Sequence, residues 1–197
     1  MNHIKKNSIY SQFEDSFYWL DDSMICNLCY KCNAPNAGFL LTKNPQFLKC
    51  YIGDTGLLAS LAFSENETQK NSLYKNIING NLNINKGMLY ENVISQILTS
   101  IGRKLYFYTK YNEERHRNDI EIDFLISNKS KTNFKNFPIE VKSSKYYRTS
   151  SLDAFRKLFK NRIKTSYIIH PKNYSYEEKL IKLPLYMLFC LLEGENK

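Results

Sequence analysis

Four ionisable residues, Glu91, Asp123, Glu140 and Lys142, stand where a plain globular fold has little use for them. A hard divalent cation such as Mg²⁺ takes oxygen ligands, commonly one or two carboxylates with water and substrate phosphate completing the shell. Such an ion activates a water and neutralises charge developing on a phosphodiester, while a nearby lysine positions the water or stabilises the transition state. Asp123 and Glu140 would be the ligands, Glu91 a third and peripheral one, and Lys142 the assisting ammonium. On spacing alone the pattern is weak, because Glu-x-Lys on a strand is also what an ordinary solvated face looks like.

The elements that must carry these groups can be read from periodicity. Tyr90, Val93, Ile94, Ile97, Leu98 and Ile101 form one helical stripe, stopped by Gly102. Glu91 lies at the edge of that stripe, so its carboxylate should emerge beside the helix–sheet contact. Residues 105–108, 120–127 and 138–143 read as strands, with Pro138 as a strand's first residue. Ile120, Ile122, Phe124 and Ile126 alternate onto one face, which sends Asp123 to the other with Leu125. Ile139 and Val141 likewise force Glu140 and Lys142 together. A helix over 151–159 and a strand over 166–170 complete the order helix, three strands, helix, strand. That is an α/β class domain, a mixed sheet with helices packed on it.

Ahead of this core, Phe13, Phe17, Leu20, Met24 and Leu28 space as a helix over 11–28, followed by a strand over 29–33 and a second over 47–52. Asp54, ahead of Leu57, Leu58 and Leu61, reads as a helix N-cap. Residues 64–86 are polar, Asn-rich and connector-like, with one short helix over 74–78.

Other chemistry is less well supported. Cys26, Cys29 and Cys32 form C-x-x-C-x-x-C, with Cys50 as the remaining candidate for a metal or iron–sulfur set; buried small hydrophobes are the competing reading. His3, His116 and His170 are isolated and show no ligand spacing. Residues 113–117 make a charged hairpin loop in which Arg115 and Arg117 could touch phosphate. Lys145 and Arg148, followed by Arg156, Lys157, Lys160, Arg162 and Lys164, concentrate positive charge among tyrosines beyond the Glu-Val-Lys strand, a surface suited to tracking a nucleic-acid backbone. A basic exposed face in a Lys-rich protein is the alternative.

Composition excludes several classes. The chain has 197 residues, 43% hydrophobic and 24% charged, with 28 Lys and Arg against 19 Asp and Glu for a net charge of +9. Such a balance makes a polyanionic partner, nucleic acid first, the one to consider. Residues 1–10 lack an apolar run, so neither a signal peptide nor an anchor is expected. The longest apolar stretch, 183–192, is about half of a bilayer span, so no membrane partner is expected. Five cysteines without an export signal fit reduced thiols and a cytoplasmic location. No Gly-rich G-x-x-x-x-G-K-[ST] loop is present, which leaves this polypeptide without an ATP site.

The set Glu91, Asp123 and Glu140-Val141-Lys142 resembles the signature of the PD-(D/E)XK nuclease superfamily. More narrowly, IGDTGLLASL at 52–61, KGMLYENVISQIL at 86–98, EIDFLI at 121–126, PIEVKSS at 138–144 and SLDAFRKLF at 151–159 resemble the C-terminal domain of unknown function that follows the ATPase module of prokaryotic AAA-type ATPases. The likeness runs from about residue 11 onward and includes LPLYMLFCLLE near the end. It implies a restriction-endonuclease-like core over 87–197, a polar linker over 64–86, and, within 1–63, the tail of a winged helix and a connector. It implies metal binding by Asp123 and Glu140 with Glu91 completing the site, Mg²⁺ or Mn²⁺ as the ion, and catalytic assistance from Lys142. Because family members normally begin with an ATPase, it also implies a split or truncated relative with a separately encoded ATPase partner. A catalytically silent DNA- or protein-binding regulatory module is the alternative to a nuclease.

Overall fold

The structure, a computed structural model, describes residues 13–35, 38–63, 86–129 and 134–189. The first helix, α1 (Glu14–Asp22), is shorter than its apolar spacing suggests. Met24 takes a left-handed backbone, φ 59°, and the N–H groups of Met24 and Ile25 close the helix end on Asp21 and Leu20. The chain is thereby turned into β1 (Cys26–Cys32), so Leu28 is a strand residue, its N–H donating to the Asp21 carboxylate. A single turn, α2 (Phe39–Thr42), leads to β2 (Lys43–Ile52), which pairs antiparallel with β1. Pro45 is tolerated because β2 is an edge strand.

Next comes α3 (Thr55–Phe63), where Asp54 Oδ1 accepts from the Leu57 N–H at 2.7 Å, the cap its position predicts. The expected connector helix over 74–78 lies outside the described residues. The long helix α4 (Lys86–Ser100) ends at Gly102, φ 77°, with the N–H groups of Gly102 and Arg103 satisfying the carbonyls of Thr99 and Leu98. Its buried side is Asn92, Ile94, Ser95 and Leu98, while Ile101 is exposed.

Then follow β3 (Leu105–Asn112), β4 (Arg117–Lys129), β5 (Phe134–Val141), α5 (Ser150–Leu158), β6 (Ser166–His170), β7 (Ser175–Glu177) and β8 (Leu180–Pro184), with a 3₁₀ turn at Leu185–Met187. The expected helix, three strands, helix, strand is α4 to β6, in order. Pro138 lies inside β5 rather than at its start, one residue before the β6 pairing begins. Its missing N–H therefore costs no bond on that side.

The eight strands among the described residues form one mixed sheet in the order β2-β1-β3-β4-β5-β6-β8-β7. Pairs β1/β3, β5/β6 and β6/β8 are parallel and the rest antiparallel. Helices cover both faces, so the chain is an α/β protein with a mixed, helix-flanked sheet. Ile94 and Leu98 of α4 pack on Cys29, Tyr51, Phe107, Phe124, Ile139 and Ile169. Leu152 and Phe155 of α5 pack on Tyr106, Tyr108, Ile120, Ile122, Leu125 and Ile168. The sheet does not stop at the boundary drawn between 1–63 and 87–197: β1 and β2 extend it through β3, and Cys29 and Tyr51 enter the α4-side core. No helix among the described residues is long and apolar enough to cross a membrane.

Candidate functional site

Asp123 owes its place to an irregularity in β4. Opposite β3, Tyr106 pairs with Leu125 and Tyr108 with Ile122, so Asp123 and Phe124 together face the single residue Phe107. Such a bulge breaks the two-residue alternation. Ile120 and Ile122 belong to the α5-side core, but Phe124 and Ile126 belong to the α4-side core. The expectation that all four share one face is corrected accordingly, and Phe124 lies on the α4 side with Asp123's neighbours Tyr51 and Glu91.

The strand beside it opens at the same level. β5 pairs with β4 only as far as Ile139 with Phe124, then continues along β6 alone. In the gap, Asp123 Oδ2 accepts the Val141 N–H at 2.7 Å in place of a backbone carbonyl. Two positions back, the Glu121 N–H and carbonyl both bond to Ser151 Oγ at the start of α5. Side chains thus complete the ladder of β4 where β5 has left it.

Around this gap the proposed residues fall into two groups. Glu91, from α4, accepts from the Tyr51 hydroxyl at 2.9 Å. Lys49 Nζ lies 3.7 Å from Glu91, 3.3 Å from Glu121 and 3.8 Å from Asp123, and over the Phe107 ring. Glu140 belongs to the other group: its Oε1 accepts from Lys142 Nζ at 2.6 Å, and Ile168 of the α5-side core is its register partner. Its second oxygen, Oε2, is buried and has no hydrogen-bond partner among the described residues. Val141, between Glu140 and Lys142, links the groups through its bond to Asp123.

The electrostatics follow from this crowding. Burial first, and then the Glu91 charge, raise Asp123 to about 7, against the opposing pull of Lys49 and of the Val141 N–H. Burial also raises Glu140, with Lys142 working the other way. For Lys49 burial favours the neutral amine, but Glu91, Asp123 and Glu121 outweigh it and the ammonium is held above its ordinary range.

Lys49, Glu121 and Tyr51 were not among the residues singled out from spacing. Glu121 carries a signal, being two residues from Asp123 on the same strand face. Lys49 and Tyr51 also alternate onto one face of β2, but nothing local shows that β2 lies across from α4 and β4.

As a donor set, Glu91, Asp123 and Glu140 offer the all-oxygen chemistry that suits a hard divalent ion, and the partnerless Glu140 Oε2 is the kind of atom such an ion satisfies. Among the described residues, however, no group of three or more His, Cys, Asp or Glu is gathered as a metal-binding set. Lys49 stands between three of the carboxylates instead. The cysteine set is not gathered either: Cys29 packs in the α4-side core and Cys32 in the α5-side core, since residues three apart on a strand face opposite ways. Of the basic residues, Arg115, Arg117 and Arg148 come together around one recess, which Lys145 does not line. His170, by contrast, is buried against the Tyr147 hydroxyl at 2.7 Å.

No curated protein matches the chain, and no solved structure matches it. A family model described as a domain of unknown function (DUF4143) matches residues 86–187, from the start of α4 through the 3₁₀ turn, and so takes in Glu91, Asp123, Glu140 and Lys142 but not Lys49. Since that match covers more than half of the sequence, the chain belongs to the DUF4143 family.

Proposed function

We propose that this chain is a nuclease-like domain, restriction-endonuclease-like in its α4 to β6 core, that hydrolyses phosphodiester bonds of nucleic acid with Mg²⁺ or Mn²⁺. The observation that carries this reading is the Val141 bond to Asp123, which joins the Glu91–Asp123 carboxylates to the Glu140–Lys142 pair where β4 and β5 separate. Asp123 and Glu140 would hold the ion, with Glu91 beside them; the ion supplies charge neutralisation and an acidified water when bound. Tyr51 fixes the Glu91 carboxylate, and the Val141 N–H fixes Asp123 so that its other oxygen faces the cluster. Lys142 stands beside the reacting phosphate, and the arginines of the β3–β4 turn and of the loop between β5 and α5 hold the nucleic acid.

The test is incubation of the full chain with DNA and RNA in Mg²⁺ or Mn²⁺, alongside Asp123→Ala and Lys142→Ala. Cleavage that both substitutions abolish is the expected result. Cleavage that survives either would remove the assignment.

One observation favours a second reading, a catalytically silent module that binds DNA or a protein partner such as a separately encoded ATPase. Lys49 already supplies the cation between Glu91, Glu121 and Asp123. Salt-sensitive binding without cleavage in any metal would select this reading.

A further inference from the structure

The β3–β4 hairpin is built around Asn112, whose side chain accepts from the Arg115 N–H at 3.1 Å and donates to Asp119 at 2.6 Å. His116 takes a left-handed backbone, φ 48°, and so brings the turn back sharply between Arg115 and Arg117. Arg148 arrives from the loop between β5 and α5, and Ser150 and Ser151 begin α5. Arg115, Arg117, Arg148, Ser150 and Ser151, together with Asn118 and Asp119, line a recess of about 530 Å³. It adjoins the carboxylate cluster: Ser151 is bonded to the backbone of Glu121, and Asn118 reaches the Glu121 carboxylate.

Charge in the recess is poorly balanced. Arg115 meets Asp119 only at 3.7 Å. Among the described residues no carboxylate lies within ion-pair distance of Arg117 or Arg148, whereas Lys49, Lys142, Arg156 and Lys182 each have at least one. The three guanidinium-bearing residues come from two places in the chain, Arg115 and Arg117 from the β3–β4 hairpin and Arg148 from the loop before α5, and line one volume. A row would suit a run of diesters, each with one charge and two free oxygens. A terminal phosphomonoester instead carries a charge of roughly −1.5 to −2 and three acceptor oxygens, which suits several forked donors around one point.

We infer that this recess binds the terminal phosphate of a nucleic-acid strand, so that the domain engages strand ends; the substrate class rests on the nuclease-like reading above. The test uses the full chain in EDTA with short single strands carrying an internal dye and a 5′-phosphate, a 3′-phosphate or hydroxyls at both ends. Fluorescence anisotropy should show one phosphorylated strand binding about tenfold tighter than the unphosphorylated one, and which end is preferred identifies the source of the phosphate. Arg117→Ala with Arg148→Ala should erase the preference, while Lys179→Ala, an exposed change outside the recess, keeps it. Equal binding of all three strands, or a preference that survives the double substitution, overturns the inference. Metal-dependent cleavage is followed in parallel: cleavage without end preference removes this inference alone, and end preference without cleavage upholds it while removing the nuclease reading.

Discussion

The Val141 N–H donates to Asp123 Oδ2 at 2.7 Å across the point where β5 leaves β4. A side chain that replaces a strand's lost backbone partner is held in place by the fold, and here it is also a buried carboxyl beside Glu91. Structure and charge therefore pull in opposite directions at Asp123. As an acceptor it completes the sheet, and as an anion it is penalised by burial.

That conflict predicts a pH dependence. The folded Asp123 titrates near 7, above its ordinary value of 3.8, so between those limits the native state binds more protons than the unfolded one. Its contribution to stability is therefore full below about pH 4 and declines as pH rises to about 7. Asp123→Asn keeps an acceptor for Val141 and removes the ionisation. Urea midpoints measured from pH 5 to pH 8 should fall for the parent chain relative to the Asn variant, leaving the variant the more stable at pH 8. Parallel curves would show that Asp123 does not titrate in this range.

Lys49 supplies the next prediction, because it balances three carboxylates at once. Lys49→Met should cost about 2 kcal/mol at pH 8, less than a fully buried pair would because the lysine is partly exposed. The same change removes a positive charge within about 4 Å of the carboxylates, so a divalent ion should bind at least about tenfold tighter. Calorimetric titration with Mn²⁺ reads this directly. If neither the parent nor the variant takes up Mn²⁺, the carboxylates do not form a metal site.

Much of the core was legible because local rules operate there. The α4 stripe and the Gly102 stop are set by helical spacing and by a left-handed backbone that glycine adopts easily, and the Asp54 cap needs only its own next turn. The site was half legible for the opposite reason. Alternation along β4 assumes an unbroken ladder, and the bulge at Asp123 and Phe124 shifts the phase midway. Lys49 reaches Glu91 and Glu121 across separations of 42 and 72 residues, which no local period encodes. Asn92, a polar residue next to the apolar stripe, is buried because its bonds go to β2, a pairing that no local period encodes.

Asn92 leads to a prediction about the unit of folding. Its side chain accepts from the Ile52 N–H and donates to the Ile52 carbonyl and to Thr55 Oγ1, pinning α4 to the end of β2. Asn92→Ala would leave the part-buried N–H and carbonyl of Ile52 without this partner and should cost roughly 1–3 kcal/mol in urea unfolding. A fragment beginning at residue 86 would also bare the β3 edge and lose Cys29 and Tyr51 from the core. It should fail to give a cooperative transition. A sharp transition from that fragment would show that β1 and β2 are dispensable additions.

Gly53 tests the same junction through backbone geometry. Its N–H donates to the Ile25 carbonyl at 2.8 Å, and a Cβ at this position would stand 2.3 Å from the Met24 carbonyl oxygen. Since the clashing atom is backbone, relief requires the turn between α1 and β1 to move away from the end of β2. Gly53→Ala should therefore cost about 1–3 kcal/mol, as overpacking does. Gly102→Ala is the informative contrast. Among the described residues, its chain neighbours aside, no atom lies within 4 Å of its added Cβ, and the left-handed backbone, φ 77°, is what opposes it, so its cost should be about 1 kcal/mol. Thermal unfolding of both variants checks the order, and a Gly53→Ala chain as stable as the parent would show that the α1–β1 turn does not press on β2.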